Sequence, residues 1–157
     1  MRRVDISVRT EYAVRAMLLL AKSAATDSTP VSVEALATAQ DLPRKFLELI
    51  VGDLRRAGLV TSSRGARGGY ALSRDATQIH LGDIFRAVDG PLAEVRGLRP
   101  HETAYEGVAA NLPTVWVAAR ASLRRVLDET SLAQVLSGDL PEHVRDLAAA
   151  PDAWESR

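Results

Sequence analysis

Leu42-Pro43-Arg44-Lys45-Phe46-Leu47-Glu48-Leu49-Ile50-Val51-Gly52-Asp53-Leu54-Arg55-Arg56-Ala57-Gly58-Leu59-Val60, running on into Arg64-Gly65-Ala66-Arg67-Gly68-Gly69-Tyr70, is the stretch whose reading decides the fold. Leu47, Ile50, Val51 and Leu54 recur at i, i+3, i+4 and i+7, which is one buried stripe of a helix. The opposite face is charged. Pro43 suits the first turn, where its missing N–H would be unpaired in any case, and Gly58 stands where a left-handed C-terminal cap needs a residue without Cβ. Arg44 and Lys45 then fall in the first turn, the part of a recognition helix that meets base edges in a major groove.

Working outward from that helix, Asp41-Leu42-Pro43 is a tight turn joining it to a short helix with Val33, Leu36 and Ala37 inward, capped by Ser32. Helix, tight turn, helix is the spacing of a helix-turn-helix. Before it, Ser7 is a candidate N-cap for a first helix with Tyr12, Ala13, Ala16, Met17, Leu20 and Ala21 along one face, ended by Asp27-Ser28-Thr29-Pro30. Val31 is suited to a short strand. After Gly58, residues 59–62 and 70–73 have the character of two strands, joined by a glycine-rich turn bearing Arg64 and Arg67. Such a hairpin beside a recognition helix is a wing. Gly65, Gly68 and Gly69 permit close approach to a phosphate backbone, and the two arginines are placed to contact phosphate or enter a minor groove. Phe46, one residue off the buried stripe, is read both as core and as a contact for a thymine methyl.

Leu81, Ile84, Phe85 and Val88 mark a fourth helix stopped by Asp89-Gly90-Pro91. Residues 91–111 have no sustained period, and their length marks them as a functional or mobile loop. Asn111 is expected to cap the longest helix of the chain, with Leu112, Val115, Trp116, Ala119, Leu123, Val126 and Leu127 on one apolar face. A small winged domain offers that face little to pack against, so a second subunit is expected to cover it. A short helix capped by Thr130 or Ser131 and a last one over Leu140, Val144, Leu147 and Ala148 follow, and Trp116 and Trp154 are expected to be packed. The organisation is thus a winged helix-turn-helix over 1–90, a loop over 91–111, and a dimerisation helix with C-terminal helices over 112–157.

Composition narrows the function classes. With 46% hydrophobic and 25% charged residues the 157-residue chain is globular in character, and it has neither a signal-like N-terminus nor an apolar run long enough for a membrane, so a soluble cytoplasmic protein is expected. Net charge is zero but unevenly spread: residues 1–90 hold 13 Lys and Arg against 10 Asp and Glu, and residues 91–157 hold 7 against 10. Within 43–74, Arg44, Lys45, Arg55, Arg56, Arg64, Arg67 and Arg74 face only Glu48 and Asp53, the footprint of a phosphate-binding surface. Arg55 and Arg56 fit a solvated face near the helix C-terminal dipole. There is no cysteine, which removes disulfides, thiolate nucleophiles and Cys-ligated metal sites. His80, His101 and His143 are scattered without ligand spacing, so no metal or other cofactor is expected. No nucleophile elbow, phosphate loop or carboxylate pair argues for an enzyme.

Five segments in order, 9–16, 46–50, 54–60, 64–72 and 79–84, resemble the IscR/NsrR (Rrf-two) family of bacterial winged-helix transcriptional regulators over about residues 1–137. The resemblance implies a homodimer that binds double-stranded DNA at a near-palindromic operator, usually as a repressor, with the long helix forming most of the dimer contact. Many members hold an iron–sulfur cluster through three cysteines in the loop after the fourth helix. Here that loop contains His101, Glu102, Tyr105 and Glu106 and no cysteine, so this is a cysteine-less member whose input must differ or be absent. Glu11 matches a region that supplies a non-cysteine ligand in some relatives, and without thiolates it makes no cluster site. His101, Glu102 and Tyr105 are the candidate sensor residues, with an unidentified small molecule as effector. The alternative from a different class is a winged-helix module that docks a protein and no longer binds DNA; the basic excess in 43–74 favours DNA.

Overall fold

The computed structural model describes residues 5–156. In chain order it contains α1 (Val8–Thr26), α2 (Val33–Gln40), α3 (Arg44–Arg56), β1 (Val60–Ser63), β2 (Gly69–Leu72), α4 (Leu81–Asp89), α5 (Leu112–Leu127), α6 (Leu132–Ser137) and α7 (Glu142–Ala148), with single 3-10 turns at Ala76–Gln78, Pro100–Glu102 and Gly107–Ala109. The expected architecture, mainly helical with one antiparallel hairpin, is the observed one.

α1 is the central strut. Ser7 caps it by accepting the Thr10 N–H at 3.1 Å, and Ala13, Ala16, Met17, Leu20 and Ala21 are buried along it. Its small alanines let α3, α4, α6 and β2 approach closely. Asp89, at the end of α4, accepts hydroxyl hydrogen bonds from both Ser7 and Thr10, so the fully buried Thr10 keeps a partner.

α3 buries the four residues of its stripe, Leu47, Ile50, Val51 and Leu54, each at most 1% exposed. Burial of each contributes about 1.5–3 kcal/mol before the cost of ordering the chain. The helix ends in a Schellman arrangement: Gly58, at φ +76°, donates to the Arg55 carbonyl, and the next N–H, of Leu59, reaches back to Leu54 at 2.9 Å. Leu54 and Leu59 are both buried, which supplies the accompanying apolar contact and aims the chain into β1.

β1 and β2 pair with Val60 opposite Leu72 and Ser63 opposite Gly69. Val31 adds the expected third strand as an isolated bridge, exchanging two 2.8 Å hydrogen bonds with Tyr70. Gly69 makes this possible. At φ +152° it lies so close to Val31 that a Cβ would stand 2.5 Å from the Val31 carbonyl carbon and oxygen.

Several expectations are corrected. Pro43 is the N-cap of α3, extended at ψ 120°, because its carbonyl is needed to accept the Leu47 N–H. The longest helix is α1, of 19 residues, against 16 for α5. Asn111 does not cap α5: its backbone is already helical at ψ −2° and its side chain makes no capping bond, since the Gly107–Ala109 turn leads straight into the helix. The hairpin strands lie one residue from where alternation placed their starts or ends. Trp154 is 86% exposed, with its indole N–H on the Ala148 carbonyl, and so is not buried as expected.

The chain beyond α5 returns to the first core. Ser131 and Gln134 form a reciprocal capping box on α6, Leu132 is fully buried, and its N–H bonds the Ile79 carbonyl while Leu81 bonds Thr130. Two substitutions test the approach of Gly69 to Val31 by urea unfolding. Gly69→Ala is expected to cost about 2 kcal/mol or more, since strain and a backbone collision combine. Gly65→Ala, with φ +102° but open space at Cβ, is expected to cost about 1 kcal/mol. Equal losses would remove the close Val31 approach from the account.

Candidate nucleic-acid interface

Because α3 buries one stripe, its remaining faces look outward. Lys45 is exposed and has no ion pair among the described residues. Arg44 is exposed but engaged, by Glu34 of α2 at 2.6 Å and by Glu48 one turn on at 3.2 Å. Such exposed pairs contribute about 0–1 kcal/mol and can be exchanged for phosphate. Phe46 takes an intermediate place between its two readings: its ring stands edge-on to Tyr12 with centroids 6.1 Å apart, and 41% of the residue remains exposed. Leu49, which sequence reasoning passed over, is 66% exposed. It lies one turn from Lys45, so α3 presents a cation and an apolar tip together. Its signal was its displacement from the 47, 50, 51, 54 spacing.

At the C-terminal end of α3, Asp53 draws in two arginines. Arg9 of α1 reaches it at 2.5 Å, and Arg56 pairs with its other oxygen. Arg56 is thereby neutralised, whereas Arg55 stays exposed without an ion pair among the described residues. Arg74 is turned away from the hairpin tip by the Gln78 carbonyl and Asp83.

In the wing, every residue from Thr61 to Arg67 is exposed. Arg64 and Arg67 have no carboxylate partner among the described residues. Gly68 is required by the hairpin itself: a Cβ there would meet the Ser63 carbonyl oxygen at 2.4 Å. Together with the Val31 contact at Gly69, this accounts for both glycines by the folding of the wing.

The three candidate sensor residues of the loop following α4 are each hydrogen-bonded within the chain, His101 and Tyr105 to α5. The His101 Nδ1 lies 2.9 Å from the Arg120 guanidinium, which can only donate. Glu102 accepts the Arg99 N–H, and Tyr105 accepts the Trp116 indole N–H at 3.2 Å. Glu11 pairs with Arg15. Without thiolates, and with these donors engaged inside the chain, the residues present do not fit an iron–sulfur cluster. Among the described residues no three His, Asp or Glu converge as a metal site.

α5 has no buried residue. Trp116, Ala119, Leu123, Val126 and Leu127 line an open, largely apolar groove of 1110 Å³, joined there by Ile6, Phe85 and Leu147; Leu112 and Val115 lie outside it, with Val115 54% exposed.

A helix-turn-helix whose second helix leads into a basic, glycine-turned hairpin defines a winged-helix DNA-binding regulator. Comparison with known proteins agrees. The model of the Rrf2 family, described as iron-dependent transcriptional regulator, matches residues 6–138. A Mycobacterium tuberculosis protein described as an HTH-type transcriptional regulator is 48% identical over 151 residues, covering 96% of this chain and 92% of its own length. The structure of CymR, the global cysteine regulator of B. subtilis, superposes with TM-score 0.72 at 34% identity over 85% of this chain and 97% of that one. That of IscR from T. potens does so with TM-score 0.67 at 33% identity, over 86% and 88%. The chain belongs to the Rrf2 family of transcriptional regulators, which are not enzymes.

The pairing of Arg44 gives a direct test. Glu34→Gln together with Glu48→Gln should release its guanidinium and tighten binding to a mixed-sequence duplex about two- to fivefold at low salt, read by fluorescence anisotropy. Unchanged affinity would place Arg44 outside the contact.

Proposed function

We propose that the chain is a homodimeric, sequence-specific transcriptional repressor that binds a near-palindromic operator and works without an iron–sulfur cluster. The observation that carries this reading is that Lys45 in the first turn of α3 and Arg64 and Arg67 in the wing are left without carboxylate partners among the described residues. Cations that a fold does not neutralise are available to phosphate, and a protein-docking surface would not need them concentrated there. Lys45, with Arg44 after exchange of its acidic partners, enters the major groove. Leu49 and Phe46 lie beside them as apolar contacts for thymine methyls. Arg64 and Arg67 hold the flanking backbone or minor groove, and Gly68 and Gly69 shape the tip that carries them.

Dimerisation is supported by α5. An amphipathic helix with no buried residue leaves an apolar face of the kind that a second copy covers. A two-fold pair would set two α3 helices against half-sites about 34 Å apart, one turn of DNA, and operator occupancy would block transcription. Among the described residues no helix is long and apolar enough to cross a membrane, in keeping with a regulator acting in the cytoplasm.

Two experiments check this. Arg64→Ala with Arg67→Ala should weaken binding to a duplex selected from random sequence and reduce the slope of log K against log salt by about 1–2, since fewer counterions are released. An unchanged slope would take the wing out of the interface. Trp116→Ala should shift the dimer toward monomer in sedimentation equilibrium; an unaltered dimer would contradict the α5 assignment.

A further inference from the structure

A second cavity, of 270 Å³, opens where the end of α4, the 90–99 segment and α5 meet. Four arginines line it: Arg86 from α4, Arg99 from the loop, and Arg120 and Arg124 one turn apart on α5. Among the described residues no carboxylate lines it. Arg86 is held by Asp128 at 2.7 Å from outside the lining, and Arg120 by the His101 ring, which brings it no negative charge. Arg99 and Arg124 have no side-chain hydrogen bond or ion pair among the described residues. Four guanidinium groups from three segments, with one counter-charge between them, are held around a concavity rather than spread over a surface. Like charges so placed repel one another, and a bound anion would relieve that repulsion.

We infer that this cavity binds a small oxyanion carrying two or more negative charges, a phosphate- or carboxylate-bearing metabolite, which serves as the effector of the regulator. Guanidinium groups match such oxyanions through paired N–H donors, and the volume admits a compact ligand rather than a large cofactor. The site is also placed to have an effect. Leu92 and Ala93 line both this cavity and the apolar groove of α5. An anion bridging Arg86 to Arg124 would therefore tie α4 of the DNA-binding body to the dimer helix and set how the two recognition helices are spaced. The effector role rests on the regulator reading above; the binding site does not.

The test uses the full-length chain and no DNA in its first arm. Pyrophosphate and citrate are titrated calorimetrically at constant ionic strength into the wild type and into the double variant Arg99→Ala, Arg124→Ala. Both arginines are exposed and their side chains have no hydrogen bond or ion pair among the described residues, so circular dichroism and the thermal midpoint of the variant should match the wild type. Saturable binding of one anion per chain, weakened about tenfold or more in the variant, is expected. Tighter binding of pyrophosphate assigns a phosphate source and tighter binding of citrate a carboxylate source. Absence of saturable binding, or equal binding by the variant, overturns the proposal. So does an anion-independent loss of dimer or of the salt slope of DNA binding in the variant, which would give the arginines to a partner's carboxylates or to the DNA backbone. A second arm measures duplex binding by the wild type. Anion binding without duplex binding would remove the regulator reading and leave the site standing.

Discussion

Four apolar side chains on α3 must be buried against α1, and the rest of the molecule follows from that requirement. Leu47, Ile50, Val51 and Leu54 occupy one stripe, so Lys45 and Leu49 are turned to solvent. The Gly58 cap ends the helix at the point where its stripe is complete and sends Leu59 and Val60 back into the same core. The hairpin therefore emerges at a fixed angle to α3, and Val31 fastens it from the other side. Recognition helix and wing are one rigid unit because they share a core. Changes that loosen Leu54 or Gly69 should disturb the wing cations as well as stability.

Charge is managed just as tightly. Asp53 collects Arg9 and Arg56, Asp128 takes Arg86, and Glu34 and Glu48 hold Arg44. After these pairings, cations without carboxylate partners among the described residues gather on the α3–wing surface and in the cavity between α4 and α5, with Lys22, Arg96 and Arg125 standing singly elsewhere. The first has the extended shape that a duplex needs and the second the concave shape that a small anion needs. Between them runs α4, whose last residue is bonded to both Ser7 and Thr10 of the central helix. A load applied at the cavity thus has a short packed route to the body that carries α3.

Much of this was legible in the sequence, for identifiable reasons. Periodic apolar spacing and local caps revealed α1, α2, α3, α4 and α6, because Ser7, Ser32, Ser131 and Gly58 act within a few residues of where they stand. The Val31 strand was legible from its neighbour in the wing. Pairing between distant segments was not: nothing local says that Glu34 holds Arg44, or that Gly69 is a glycine because Val31 passes 2.5 Å from where its Cβ would lie. The four cavity arginines belong to three separate segments and look in sequence like solvated charges. Leu49 was hidden by its neighbours, since a leucine inside an amphipathic helix is expected to be buried. Trp154 was overvalued for the same reason, its size suggesting burial that the chain end does not supply.

In the proposed function, two copies of this chain read DNA through α3 and the wing. Hydroxyl-radical footprinting of the full-length protein on a duplex selected from random sequence tests it most directly. A dimer reading DNA in this way leaves two protected patches related by a two-fold axis, centred about 34 Å apart on one face of the helix, each flanked by protection of the adjacent minor groove. A single unpaired patch, or a duplex that the protein leaves fully open to cleavage, would contradict it.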